Sequence, residues 1–220
     1  ITKLLLDAGA DIKSNGLYYF KTACYLNCPQ IALLLIKRGC KVTDNLKNEL
    51  IRKCAKEGYA QLVNILIDIG ADIHVKDNEP LRKAAKNGFT NIVEMLIEHN
   101  ADVTVRNNEA LRKAVKEGYS QIVEMLINKG ADVTDCNNEA IVLATQGGYH
   151  KIVQMLIDAG ADINIKDNIV IKTAVELEQT QIIKILLNKQ PNLVKECKGL
   201  VKIAAEKCNR TILQMLIDAG

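Results

Sequence analysis

One column of residues, Gly9, Gly39, Gly70, Asn100, Gly130, Gly160, Gln190 and Gly220, recurs at intervals of 30 residues with a single interval of 31. A fixed period of this length marks a stacked array, and it overrides the domain number that a length of 220 residues would suggest. Each unit is one small element with too little core to stand alone. Neighbours must cover each other's apolar faces, so stability is shared along the chain.

The clearest unit runs from Asn108 to Thr134. In its first half Ala110, Leu111, Ala114 and Val115 fall on one stripe of a short helix, and the small alanines allow close approach of neighbours. Gly118 breaks that helix. Ser120 is then expected to cap a second one, in which Ile122, Val123, Met125, Leu126 and Ile127 form a wider apolar arc. This second helix is expected to be the more buried. Lys129 suits its C-terminal dipole, and Gly130 can adopt the left-handed conformation that ends a helix at little cost. Asn100 is the next-best residue for that position, while at Gln190 the following Pro191 supplies a different stop.

The residues Ala84-Ala85-Lys86-Asn87-Gly88-Phe89-Thr90-Asn91-Ile92-Val93-Glu94-Met95-Leu96-Ile97 and Gly160-Ala161-Asp162-Ile163-Asn164 resemble the central and closing motifs of ankyrin repeats. The resemblance spans essentially the whole chain: a partial repeat over 1–14, six full repeats over about 15–195 and a final helix pair over 196–220, read as one array. It implies an all-α helical repeat solenoid with short β-hairpin-like connections. Two departures stand out. The family's Thr-Pro-Leu-His opening becomes Glu79-Pro80-Leu81-Arg82, Glu109-Ala110-Leu111-Arg112 or Glu139-Ala140-Ile141-Val142, so its Thr–His hydrogen bonding does not carry over, and the glutamates are expected to substitute electrostatically. The period of 30 is also shorter than the usual ankyrin unit of about 33, which trims the hairpin tip. This shortened form is similar to arrays encoded by giant DNA viruses of amoebae, which implies a viral protein in the host cytoplasm.

In ankyrin arrays partners dock on the concave side, at the hairpin tips and the exposed ends of the first helices. Carried over, the resemblance points to Tyr25 and Leu26, Lys56 and Glu57, Lys86 and Asn87, Lys116 and Glu117, Gln146 and Gly147, and Glu176 and Leu177 as partner-binding positions. These vary while the flanking apolar positions do not. A block of cations accompanies them: Arg52, Lys53 and Lys56, then Arg82, Lys83 and Lys86, then Arg112, Lys113 and Lys116. Stacked side by side they form a basic patch suited to an acidic protein partner. The alternative is a solvated ladder in which Glu49, Glu79 and Glu109, three and four residues before the cations, neutralise part of the charge.

Other chemistries find little support. Lys and Arg total 29 against 26 Asp and Glu, a net charge of +3 spread along the chain, so neither nucleic acid nor a membrane surface is an expected partner. Tyr59, Phe89, Tyr119 and Tyr149 form a column after the turn glycine that reads as helix-turn packing rather than a platform for bases. Seven cysteines without a CxxC pair argue against a disulfide framework and fit a reducing compartment, with cytoplasmic placement as the expectation. Cys24 and Cys28 lie one helical turn apart without a nearby His, and no metal or cofactor is expected. His74, His99 and His150 sit in a hairpin, at a helix end and at a helix start, so no nucleophile and base converge and no enzymatic activity is expected. No glycine-rich phosphate loop follows a strand. Leu156, Asp162, Ile163 and Asn164 resemble the ankyrin pattern that asparaginyl hydroxylases modify, and conformity to the repeat accounts for them equally well.

The opening Ile1-Thr2-Lys3-Leu4-Leu5-Leu6-Asp7 lacks the apolar run of a signal peptide, and no stretch approaches the ~20 residues of a membrane span. Ile212, Leu213, Leu216 and Ile217 keep the interior pattern, so the chain is expected to continue past one end or both as a segment of something longer. The functional expectation is a monomeric, non-enzymatic interaction scaffold. The competing readings are a structural spacer, or a regulatory array for an adaptor or catalytic domain outside the segment.

Overall fold

Small and large aliphatic residues alternate at helical spacing within each unit, and the chain folds accordingly into tandem helix pairs. The computed structural model describes residues 12–197 and 199–220. The partial repeat read over 1–14 therefore lies, through residue 11, outside the described residues. Fifteen helices and no strand occur among the described residues, so the chain is an all-α helical repeat solenoid.

The first helices of the pairs are α1 (Ile12–Tyr25), α3 (Asp44–Glu57), α5 (Val75–Asn87), α7 (Val105–Glu117), α9 (Asp135–Gln146), α11 (Ile169–Glu176) and α14 (Leu200–Glu206). Their partners are α2 (Pro29–Lys37), α4 (Ala60–Asp68), α6 (Thr90–Glu98), α8 (Ser120–Asn128), α10 (His150–Asp158), α12 (Thr180–Lys189) and α15 (Arg210–Ala219), while α13 (Leu193–Glu196) is a single turn in the last connection. The chain divides into two compact units, Ile1–Val105 and Arg106–Gly220. In the first, α3 packs against α1, α4 and α5, and α4 lies between α2 and α6. In the second, α11 packs against α9, α12 and α14, with α10 between α8 and α12.

Burial follows the period closely. Leu81, Ala84 and Ala85 of α5, Leu111, Ala114 and Val115 of α7, and the Ile-Val-Leu sets Ile92, Val93, Leu96 and Ile122, Val123, Leu126 are fully buried. Each large side chain so enclosed stabilises by roughly 1.5–3 kcal/mol relative to exposure. The ranking of the two helices is the reverse of the expectation. Asn108, Ala110, Leu111, Ala114 and Val115 are buried in α7, against Ile122, Val123 and Leu126 in α8, where Met125 and Ile127 are half-buried. The alanines let neighbouring first helices close in on both sides, whereas each second helix keeps a polar face toward solvent.

Helix ends show where local chemistry decided. Gly118 has φ +80°, Gly130 φ +95° and Asn100 φ +64°, the left-handed stops expected of that column and of the turn. At the second-helix ends Gly130 N–H donates to the Ile127 carbonyl and Ala131 N–H to that of Leu126, the paired bonds of a Schellman motif. Gln190 is extended at φ −140°, so the helix there stops at Pro191 by a different route. Ser120 does not cap α8. It is the first residue of the helix, the cap position is Tyr119, and Val123 N–H bonds the Tyr119 carbonyl at 3.0 Å without side-chain help.

The short hairpin-like connections are made without strands. Lys76-Asp77-Asn78, Arg106-Asn107-Asn108, Cys136-Asn137-Asn138 and Lys166-Asp167-Asn168 are each three consecutive left-handed residues, with φ between +43° and +60°. Asn and Asp tolerate this region better than other residues with a Cβ, because a short polar side chain can bond locally. That chemistry lets the chain reverse in a unit shortened to 30 residues.

Candidate functional site

The connections place the C-terminal ends of the first helices beside one another within each unit. In the first unit these ends carry Tyr25 and Leu26, Lys56 and Glu57, and Lys86 and Asn87; in the second, Lys116 and Glu117, Gln146 and Gly147, and Glu176 and Leu177. All are exposed except Asn87, which is half-buried because its Nδ2 donates to the Lys56 carbonyl at 2.7 Å. Leu26 is 69 % exposed and Leu177 51 %, unusual for leucines in a chain whose other large aliphatics are mostly enclosed.

Around Tyr25 the site is organised by charge. Its hydroxyl donates to Glu49 Oε1 at 2.9 Å, and Lys21 Nζ pairs with the same oxygen at 2.9 Å. Lys53 Nζ lies 4.5 Å and Lys21 Nζ 5.6 Å from the centre of the tyrosine ring, a double cation–π arrangement. The hydrogen bonds from Lys21 and Tyr25 hold the Glu49 carboxyl below its usual range, and that carboxylate in turn pushes up the pKa of both Lys21 and Tyr25.

The structure sorts the cation block into two groups. The arginines are staples. Arg52 pairs with Glu79, and Arg112 donates to Glu139 Oε2 at 2.7 Å; each partner lies on the next first helix, rather than three or four residues back on the same one. Arg82 is only 8 % exposed and donates from Nε and Nη2 to the carbonyls of Asp77 and Lys76, both at 2.9 Å. Arg112 makes the equivalent bond to the Asn107 carbonyl at 3.0 Å. A guanidinium reaches two carbonyls because of its fork of donors, which a lysine lacks. Lys56, Lys86 and Lys116 remain exposed at the helix ends, with Lys56 3.6 Å from Glu57.

A repeated polar ladder was not anticipated from the residues. The side-chain carbonyls of Asn48, Asn78, Asn108 and Asn138 accept from the backbone N–H of Asp72, Asp102, Asp132 and Asp162 at 2.8–3.0 Å. Each of those aspartates accepts in turn from the N–H two residues on, at His74, Thr104, Thr134 and Asn164, all at 2.8 Å. This ladder ties each connection to the first helix of the preceding repeat. The signal was present as an asparagine and an aspartate recurring in fixed phase, 24 residues apart.

The Phe89 ring covers Gly58 and the Tyr149 ring covers Gly118, as packing against the turn requires. Cys24 and Cys54 are fully buried in the column that carries Ala84 and Ala114 elsewhere, and the hydrogen bond with Cys24, together with burial, pushes the Cys54 thiol up. Among the described residues no group of three or more His, Cys, Asp or Glu is gathered in a metal-binding arrangement. His74 Nδ1 pairs with Asn78 Oδ1 at 3.1 Å and His99 Nδ1 with the Met95 carbonyl at 2.8 Å, while His150 is exposed. Asn164 bonds Asp162 through its N–H and Gln190 through Nδ2. No described helix is long and apolar enough to cross a membrane.

Helix pairs in tandem, glycine-closed turns and a repeating buried face define a helical repeat protein. The model for ankyrin repeats (3 copies) matches residues 50–137 and 108–167, together more than half of the chain, and the chain belongs to the ankyrin-repeat family. No curated protein matches it.

Proposed function

We propose that the chain is a non-enzymatic scaffold that captures a protein partner through the ends of its first helices. Ankyrin repeats are generally protein–protein interaction modules, and the family membership carries that part of the reading. The single observation that supports this surface is the exposure of Leu26, Tyr25 and Leu177 at the helix ends of otherwise well-packed units. Apolar residues there gain from being covered, and aromatic anchors with nearby cations are the composition that interfaces favour. The partner is acidic: Lys56, Lys86 and Lys116 keep their charge at the surface while the arginines of the same block are consumed by internal bonds. The array acts as a monomer in this reading.

The test is affinity capture with the intact chain, followed by a binding titration of the partners recovered. Lys56→Glu, Lys86→Glu and Lys116→Glu together are expected to weaken binding at least tenfold with an unchanged melting temperature, and Leu26→Ser with Leu177→Ser to weaken it further. Unaltered affinity after the charge reversals would remove the acidic partner. Full retention of every partner by both sets would overturn capture through these helix ends.

A further inference from the structure

On the neighbouring helices α1 and α3 the cations are matched almost one for one. Among the described side chains, Lys21 Nζ pairs with Glu49 at 2.9 Å, Lys47 with Asp44 at 2.7 Å and Arg52 with Glu79, while Lys56 lies 3.6 Å from Glu57. Lys53 is the exception, with no described carboxylate in ion-pair range. Its ammonium sits instead 4.5 Å from the centre of the Tyr25 ring.

Tyr25 is the last residue of α1, and its hydroxyl is fixed on Glu49. The ring attracts a cation through its quadrupole without neutralising it, because it carries no net charge. Lys21 and Lys53 therefore share one ring and one carboxylate: two positive charges against one negative leave a surplus of +1. A lysine already held in place also loses less rotamer freedom on binding than a free one. In the next repeat Lys56 takes the place of Tyr25, so Lys83, the counterpart of Lys53, has no ring in register.

Leu26 follows Tyr25 in the chain and is 69 % exposed, so a placed cation, an aromatic ring and an uncovered leucine adjoin at one helix end. We infer that Lys53 is the specificity-determining residue of this end, and that it takes a carboxylate side chain of an acidic protein segment whose neighbouring aliphatic residue covers Leu26. One surplus positive charge matches a single carboxylate, whereas a phosphate dianion would bring a second negative charge beside Glu49. The inference rests on the reading of the helix ends as a partner surface, and it adds a residue outside the set Lys56, Lys86 and Lys116.

The probe is a synthetic peptide of about ten residues with blocked ends, Gly and Ser apart from a central Glu-Leu pair. It is titrated into the intact chain labelled at lysine Cε and leucine methyl groups. Saturating shifts are expected at Lys53 and Leu26. Lys53→Met, which keeps an unbranched apolar stem and removes the charge, is expected to weaken binding about fivefold with an unchanged melting temperature. Lys53→Arg keeps the charge over the ring and should stay within about twofold of the parent. A Gln-Leu peptide should lose the same factor against the parent and nothing further against the Lys53→Met protein, the signature of a direct pair. Absence of a shift at Lys53, equal affinity for the two peptides, or equal affinity for the Lys53→Met protein would each overturn the inference. Binding weakened by Lys56→Glu, Lys86→Glu and Lys116→Glu together but untouched by Lys53→Met would overturn it and leave the acidic-partner reading standing. Binding weakened by Lys53→Met and untouched by those three reversals would support it and remove the three lysines from the surface.

Discussion

The side-chain carbonyl of Asn108 accepts a hydrogen bond from the backbone N–H of Asp132 at 2.8 Å, while its amide donates to Asp135 Oδ2 at 2.7 Å. Asn108 is only 3 % exposed, so both bonds replace water that cannot reach its side chain. Asn108→Ala is expected to cost about 1–3 kcal/mol, because it deletes two bonds and leaves partners unsatisfied. Asn108→Asp keeps the acceptor but sets a second carboxylate against Asp135, and its loss at neutral pH should shrink as the solution is acidified. Urea unfolding of the three proteins, followed by circular dichroism, measures both.

Glycine substitutions separate two costs. Gly130 has φ +95° and open space where an added methyl would sit, so Gly130→Ala carries only the left-handed cost of about 1–2 kcal/mol. Gly118 has φ +80°, and an added Cβ would sit 2.6 Å from the Tyr149 ring, closer than carbon atoms approach. Gly118→Ala is therefore expected to be clearly more destabilising than Gly130→Ala. Tyr149→Ala in the same chain removes the clash but not the backbone term, and a thermal-melt comparison of single and double variants isolates the ring's share.

Acid should loosen the connections before it affects the apolar core. The Thr104 hydroxyl and N–H hold the Asp102 carboxyl below its usual value of 3.8, and Arg52 holds Glu79 below its usual 4.5. A carboxyl whose folded pKa is depressed stabilises the fold above its unfolded pKa and loses that contribution as pH falls through the folded value. Stability is thus expected to be flat near neutrality and to fall below about pH 4. Thr104→Val removes the hydroxyl bond, raises the Asp102 pKa toward its ordinary value and should flatten part of that decline in melts recorded from pH 7 to pH 2.5. An unchanged pH profile would count against the assignment.

The legible part of this fold was whatever repeats at a single phase. Leu111, Ala114 and Val115 were readable as core, and Gly130 and Asn100 as helix stops, because the period and the residue type pointed the same way. Ser120 misled because Ser is a good cap in general, yet the tight turn at Gly118 starts the helix with Tyr119 already in the cap position. The Asn ladder was hidden for another reason: Asn108 meets Asp132 across 24 residues of chain through a side chain and a backbone N–H, and no periodicity of apolar residues reports that. The helix-end positions were placed by resemblance, and the structure adds their exposure. Glu79 and Glu139 were placed on the right helices, but their arginine partners lie one repeat away, a distance that a single-helix pattern does not carry.

Arg82 makes the same point in a form that can be measured. It stands in a row of apparently equivalent cations, yet it is buried and bonds the carbonyls of Lys76 and Asp77, which the left-handed turn directs toward it. Arg82→Ala is expected to cost about 1–3 kcal/mol, since it strips charged donors from two carbonyls that the turn holds together. Arg82→Lys should recover little, because one ammonium cannot span both carbonyls as a planar fork does. Lys83→Ala, on the same helix and half-buried, should stay within about 0.5 kcal/mol of the parent. Chemical denaturation ranks the three variants, and a lysine that restores full stability would show that charge alone, without bidentate geometry, holds the connection.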